Sequence, residues 1–248
     1  MKHCGISLLA FSISLATSHG AAVINWVTTN GDAAYTAGTA ATNSPVTTDA
    51  DGDSIVGSFS GVTLAEGDTI TLTGALNITG NTGVIPGNQI RWGLFDAPGV
   101  PATGNGSGYV GVWAAASSNI HSANGSTANP FSGSASTTIA AGSGTAPSYG
   151  STYEFLLSIT RVDATQISVS GSLEDAGSGS SLMSWSETTG TPAGGSFTYD
   201  SVGFLLGGTT NATQATFSNV DATMTSVPEP SALLFGIVGA LALTRRRR

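Results

Sequence analysis

The 248-residue sequence is short of cysteine, lysine, histidine and charge in general, and each shortage removes a class of protein. The one cysteine is Cys4, ahead of the first apolar run, so the chain beyond it can form neither a disulfide nor a thiolate metal site. Lys2 is the single lysine, and four of the six arginines are the last four residues, Arg245 to Arg248. Between Val23 and Ser226 stand 14 Asp and Glu against Arg91 and Arg161, a net charge of −12. Nucleic-acid binding depends on Lys and Arg releasing counterions from phosphates, so a body this acidic has no nucleic-acid partner to expect. With His121 as the body's one histidine, His/Cys zinc sites are excluded by count. A Ser-His-Asp triad would have to use His121, which no Gly-x-Ser-x-Gly elbow accompanies, and it reads as a solvated loop histidine. No catalytic residue can be named, and the body is expected to be non-enzymatic.

What is present begins with two addresses. Lys2 and His3 precede the apolar run Ile6 to Ala16 and the small-residue stretch Ser18-His-Gly-Ala-Ala22, the layout of a secretory signal peptide with its cut after Gly20 or Ala22. At the other end come Val227-Pro228-Glu229-Pro230, the apolar run Ala232 to Leu243, and the arginine cluster. A helix over the apolar run rises about 18 Å, against a hydrocarbon core of about 30 Å, so it is a short span. The arginines Arg245, Arg246, Arg247 and Arg248 would stop transfer on the cytoplasmic side and leave the body across the membrane. The expected layout is a signal peptide over 1–22, one domain over 23–226 and a sorting and anchor segment over 227–248.

Pro228-Glu229-Pro230, the short apolar helix and the terminal arginines together resemble the PEP-CTERM sorting signal of Gram-negative bacteria. That resemblance implies recognition of the tail by a membrane exosortase, transient anchoring in the inner membrane, and cleavage that releases or transfers the body to the cell surface or extracellular matrix.

Between the addresses, apolar and polar residues alternate with a period of two. In Thr69 to Thr79, Ile70, Leu72, Leu76 and Ile78 share one face with Gly74, and threonines with Asn77 occupy the other. Tyr153 to Val162 and Gln166 to Leu173 repeat the pattern, and the Asp163-Ala-Thr165 link makes them a hairpin. Further strands are expected at 22–27, 54–59, 89–95, 109–115, 182–187, 201–206 and 215–224, with no amphipathic helix. About ten short strands separated by Gly, Ser, Asn and Pro predict an all-β fold, an antiparallel two-sheet sandwich of jelly-roll form. The segments Ile90 to Phe95, Ser201 to Leu205 and Ala215 to Ala222 resemble concanavalin-like or LamG-like sandwiches. Residues 117–151 are rich in Gly, Ser, Ala and Thr, and read as a long loop, mobile or holding a short irregular strand near Ser136 to Ile139.

Few residues are left to carry chemistry. Asp49, Asp51 and Asp53 alternate in a loop and could turn oxygens toward calcium, the one metal candidate; without the Gly and Glu of an EF-hand they read more simply as an acidic turn. The Glu-x-Asp-x-Glu of sandwich glucanases is absent, and Glu174-Asp175, followed by Ala-Gly-Ser-Gly, read as turn residues. Trp26, Trp92, Trp113 and Trp185 suit the space between sheets, but Trp113 and Trp185 border Gly/Ser-rich loops and are the candidates for stacking on sugar rings. The sequons at Asn77, Asn105, Asn124 and Asn211 are expected from composition alone. Three functions remain: a surface or matrix protein acting by its presence, a module binding exopolysaccharide, or a degenerate glycan hydrolase. Exposed tryptophan in a groove would mark the second, and paired carboxylates in a cleft the third.

Overall fold

A computed structural model describes residues 17–21, 25–30, 34–35, 46–48, 53–80, 90–97, 106–113, 118–124, 131, 136–142, 144–190, 192–206 and 212–227. In chain order the strands are β1 (Thr17–Ala21), β2 (Asn25–Asn30), β3 (Ala34–Tyr35), β4 (Val46–Thr48), β5 (Asp53–Thr63), β6 (Thr69–Gly80), β7 (Ile90–Asp96), β8 (Ser107–Trp113), β9 (Ser118–Asn124) and β10 (Ser136–Gly142). They continue with β11 (Thr152–Arg161), β12 (Ile167–Asp175), β13 (Ser181–Thr189), β14 (Thr198–Leu206) and β15 (Ala212–Ser226). Sheet A runs β13-β12-β11-β6-β15-β4-β3, with β1 also on β15, and sheet B runs β10-β9-β8-β7-β14-β5-β2. Neighbouring strands pair antiparallel throughout.

Each strand expected from alternation has a counterpart among the described residues, with 22–24, 89 and 114–115 outside them, and the reason is visible in the burial. In β11, Tyr153, Phe155, Leu157 and Ile159 are buried while Glu154 is exposed and Leu156 and Ser158 are half-buried. Partners repeat the pattern because register aligns like with like: Leu157 lies between Leu72 and Gly171, and Ile159 between Ile70 and Val169. The hairpin turn is tied by Asp163, whose Oδ1 accepts the Thr165 and Gln166 N–H groups at 2.7 and 2.8 Å. Those bonds, Thr165's first, hold the Asp163 carboxyl below the usual carboxylate range.

The inner faces meet in one core centred on rings. Phe204 and Phe217 stack at 4.1 Å across the two sheets, and Phe155 stands edge-on to both. Trp92 of sheet B packs on Phe155 and donates its indole N–H to the Leu156 carbonyl of sheet A, at 3.2 Å. Gly74 is required where Phe155 lies: a Cβ there would stand 2.5 Å from the ring.

In the stretch 117–151 the short strand expected near Ser136 to Ile139 is present as β10, and β9 departs from the loop that composition suggests. β9 pairs along β8, from Ser107 opposite Asn124 to Trp113 opposite Ser118, and β10 closes the edge of sheet B. Ile120 is fully buried beneath this edge. Phe131 seats on the outer face of sheet B, edge-on to Phe95 at 5.4 Å, within a second apolar cluster of Val56, Val110, Val112 and Leu205. Arg91 donates from its guanidinium to the Phe131 carbonyl. The two sheets therefore differ: A turns a hydroxyl-rich face outward, whereas B is apolar on both sides.

Candidate functional site

The outer face of sheet A is built by the polar half of the alternation. Toward one end, cross-strand hydroxyl pairs close it, Thr69 with Thr160 at 2.8 Å and Thr71 with Ser158 at 3.2 Å. Toward the other end Asn77 donates to Thr152 Oγ1 at 3.1 Å. Between them the closure fails. Thr73, Leu156 and Ser172 form one cross-strand row, and Ala75, Glu154 and Glu174 the next. Short side chains beside long ones leave a depression, and on the β15 side the register shift between Ser218 and Asp221 draws the neighbouring strand aside. Asn219 in that bulge takes a left-handed backbone, φ 52°, and stands exposed at the rim.

The result is an open groove of about 310 Å³ lined by Thr73, Gly74, Ala75, Glu154, Phe155, Leu156, Ser172, Glu174 and Asn219. Glu154 and Glu174 are directly opposite each other, so their Cβ atoms stand about 4.5–5.5 Å apart. No described arginine offsets them: Arg161 is bonded to the Leu64 and Asp163 carbonyls and lies 3.9 Å over the Phe197 ring, and Arg91 is on sheet B. The groove thus offers carboxylate, hydroxyl and amide groups around an apolar patch at Ala75 and Leu156. Such a surface accepts hydrogen bonds from hydroxyls and covers a C–H face at once.

Glu174 was obscured in the sequence by the turn beside it. Asp175 belongs to that turn, its Oδ1 accepting Gly177 and Ser178 N–H groups, while Glu174 remains in the ladder on the outer face. Counting back from the β11–β12 turn gives the signal that was there to be read, since Arg161 opposite Ile167 fixes Glu154 opposite Glu174.

The residues singled out from sequence lie elsewhere. Trp113 is 0% exposed and Trp185 6%, both in the core between the sheets, so neither ring is presented to a sugar. Trp185 packs on Trp92 at 5.8 Å and touches the space over Gly111 and Gly171. Trp92 is fully buried, and Trp26 is half-buried and stacked on Phe204 at 5.9 Å. His121 is no loop residue: it sits in β9, half-buried, with Nε2 3.4 Å from Thr138 Oγ1. Burial, then the nearby Arg91 charge, hold its imidazole below the ordinary histidine value. Asp53 opens β5, but Asp49 and Asp51 lie outside the described residues. Among the described residues no three His, Cys, Asp or Glu gather as a metal site. Pro228, Glu229, Pro230 and Arg245 to Arg248 also lie outside them, and no described helix is long and apolar enough to cross a membrane.

No protein-family model matches the sequence, and no curated protein matches it. Solved structures do match. Lectin I from Ulex europaeus, in complex with the methyl glycoside of α-L-fucose, superposes with a TM-score of 0.51 at 9% identity, over 85% of this chain and 98% of that one. The fold is a lectin-like jelly roll. Winged bean acidic lectin, complexed with methyl-α-D-galactose, gives 0.50 at 8% identity, over 87% of this chain and all of that one. A carbohydrate-binding module from Bacillus subtilis aligns over 80% of this chain and 94% of its own, at 14% identity and a TM-score of 0.45. At these identities the likeness is one of fold.

Proposed function

We propose that the chain is an exported carbohydrate-binding protein whose jelly-roll body holds extracellular polysaccharide in the groove on sheet A. The groove carries this reading: carboxylates of Glu154 and Glu174, hydroxyls of Thr73 and Ser172 and the Asn219 amide surround an apolar floor, the mixture that grips sugar hydroxyls and a pyranose face together. The lectin fold supports it, since the Ulex and winged bean proteins hold a fucoside and a galactoside respectively. Export follows from the N-terminal leader, and retention from an exosortase acting on Pro228-Glu229-Pro230 while Arg245 to Arg248 stay cytoplasmic.

The test is a panel of neutral and acidic polysaccharides offered to the protein with calcium and again with a chelator. Saturable binding in both conditions is the expected result, because the lining carboxylates, hydroxyls and amide meet sugar hydroxyls directly. Binding lost on chelation would move the site to the Asp49, Asp51 and Asp53 loop.

Glycan hydrolysis is the second reading, favoured by one observation: two glutamates face each other across a strand pair, and glycosidases act through a pair of carboxyl groups. The groove is open on its solvent side and lacks the walls that exclude water from a hydrolytic centre. Release of reducing ends from a bound polysaccharide, abolished by Glu154→Gln or Glu174→Gln, would establish it.

A further inference from the structure

The two ends of the described chain lie side by side. β1 runs antiparallel to the end of β15, from Thr17 opposite Ser226 to Ala21 opposite Ala222. β6 takes the other edge of β15, and β4 reaches its far edge only at Ala215, Thr216 and Phe217. Without β1, the five residues leading to the tail would present an unpaired backbone edge, which folded sheets avoid or cover.

Signal-peptide cleavage needs small residues in an Ala-x-Ala-like pattern before the cut, and from Ser14 to Ala22 this sequence offers four: Ser14-Leu-Ala16, Ala16-Thr-Ser18, Ser18-His-Gly20 and Gly20-Ala-Ala22. Composition does not choose among them, and the fold does. A cut after Ser18 or Gly20 takes away part or most of β1 and a cut after Ala22 all of it, whereas a cut after Ala16 leaves the strand whole. The 16-residue leader that remains has the basic start and an apolar stretch from Ile6 to Ile13, within the ordinary size of a signal peptide.

We infer that a signal peptidase hydrolyses the Ala16–Thr17 bond, water completing the Ala16 carboxylate and the Thr17 amine, and that the mature chain begins with β1. The inference rests on the export reading and moves its boundary upstream. It also places the new N-terminus beside Ser226, next to Val227, whose N–H is held by the buried carboxylate of Asp68 at 3.0 Å. The mature N-terminus and the tail junction then leave the body at one corner.

The experiment expresses the full chain with its own leader in a Gram-negative host, captures the exported protein with antibodies to the body, and reads its N-terminus by sequencing and intact mass. The expected sequence starts Thr17-Ser-His-Gly-Ala. Ala16→Tyr should abolish that start, and Ala22→Tyr should retain it. A start at Ala21 or Val23, or the reverse response of the two variants, overturns the inference and leaves export standing. A wild-type product that still begins at Met1 overturns both.

Discussion

Tryptophan placement separates the two uses of a large ring. Tyr109, Gly111 and Trp113 alternate with Val110 and Val112 in β8, so Trp113 belongs to the inner face that Tyr109 defines. Met183 and Trp185 share the inner face of β13 in the same way. The period of two was the sounder guide, and proximity to a Gly/Ser-rich loop misled because it describes a strand's end rather than its face. Trp185→Ala should lower stability by about 3–5 kcal/mol in urea denaturation, the cost of emptying a core site. Trp185→Phe should leave polysaccharide affinity unchanged, and acrylamide should quench the native fluorescence poorly. Loss of binding in a folded Trp185→Phe protein would contradict this placement.

His121 makes a pH prediction at the same scale. Its imidazole is held below the ordinary value by burial and by Arg91, so on acidification the unfolded chain takes up this proton first. Its contribution is intact above the unfolded value of about 6.5 and is lost as pH falls from there through the lower folded value. The melting temperature should therefore drop between pH 7 and pH 5, and His121→Gln should flatten that part of the curve. An identical slope in the variant would show that the drop comes from other groups.

At the scale of elements, the strands from β5 to β8 and from β11 to β15 were legible because each buries one face and sheds the other. β9 was not, and β10 was legible only as a short strand near Ser136 to Ile139, since Ser, Ala, Thr and Asn give little contrast between faces. Their anchors were nevertheless in the sequence, as Ile120 and Ile139 in the strands and Phe131 between them. Phe131 is accommodated by Gly203, where a Cβ would stand 2.6 Å from its ring. Phe131→Ala should cost about 3–5 kcal/mol and speed amide exchange in β9 and β10 above that in β11 and β12. Gly203→Val should cost about 1–3 kcal/mol or more by crowding the same ring, and little in a Phe131→Ala background. Additive losses would mean that the two positions do not share a packing site.

At the scale of the whole molecule, two faces of one sandwich have been put to different uses. Sheet B packs Phe131 against its outer side, and sheet A leaves a polar groove open to solvent. Fold class was readable from alternation and turn residues, whereas the groove exists only in register: Glu154 and Glu174 are 20 positions apart in sequence and meet through a hairpin whose turn fixes their pairing. The bulge at Asn219 that widens it leaves no local signature beyond an Asn between Ser218 and Val220. The most direct test of the account is a calorimetric titration of the protein with a polysaccharide from the panel, for the wild type and for Glu154→Gln with Glu174→Gln combined. The account predicts saturable binding by the wild type and a loss of tenfold or more in the double variant, with an unchanged melting temperature. Equal affinity in the two proteins, or no saturable binding by the wild type, would contradict it.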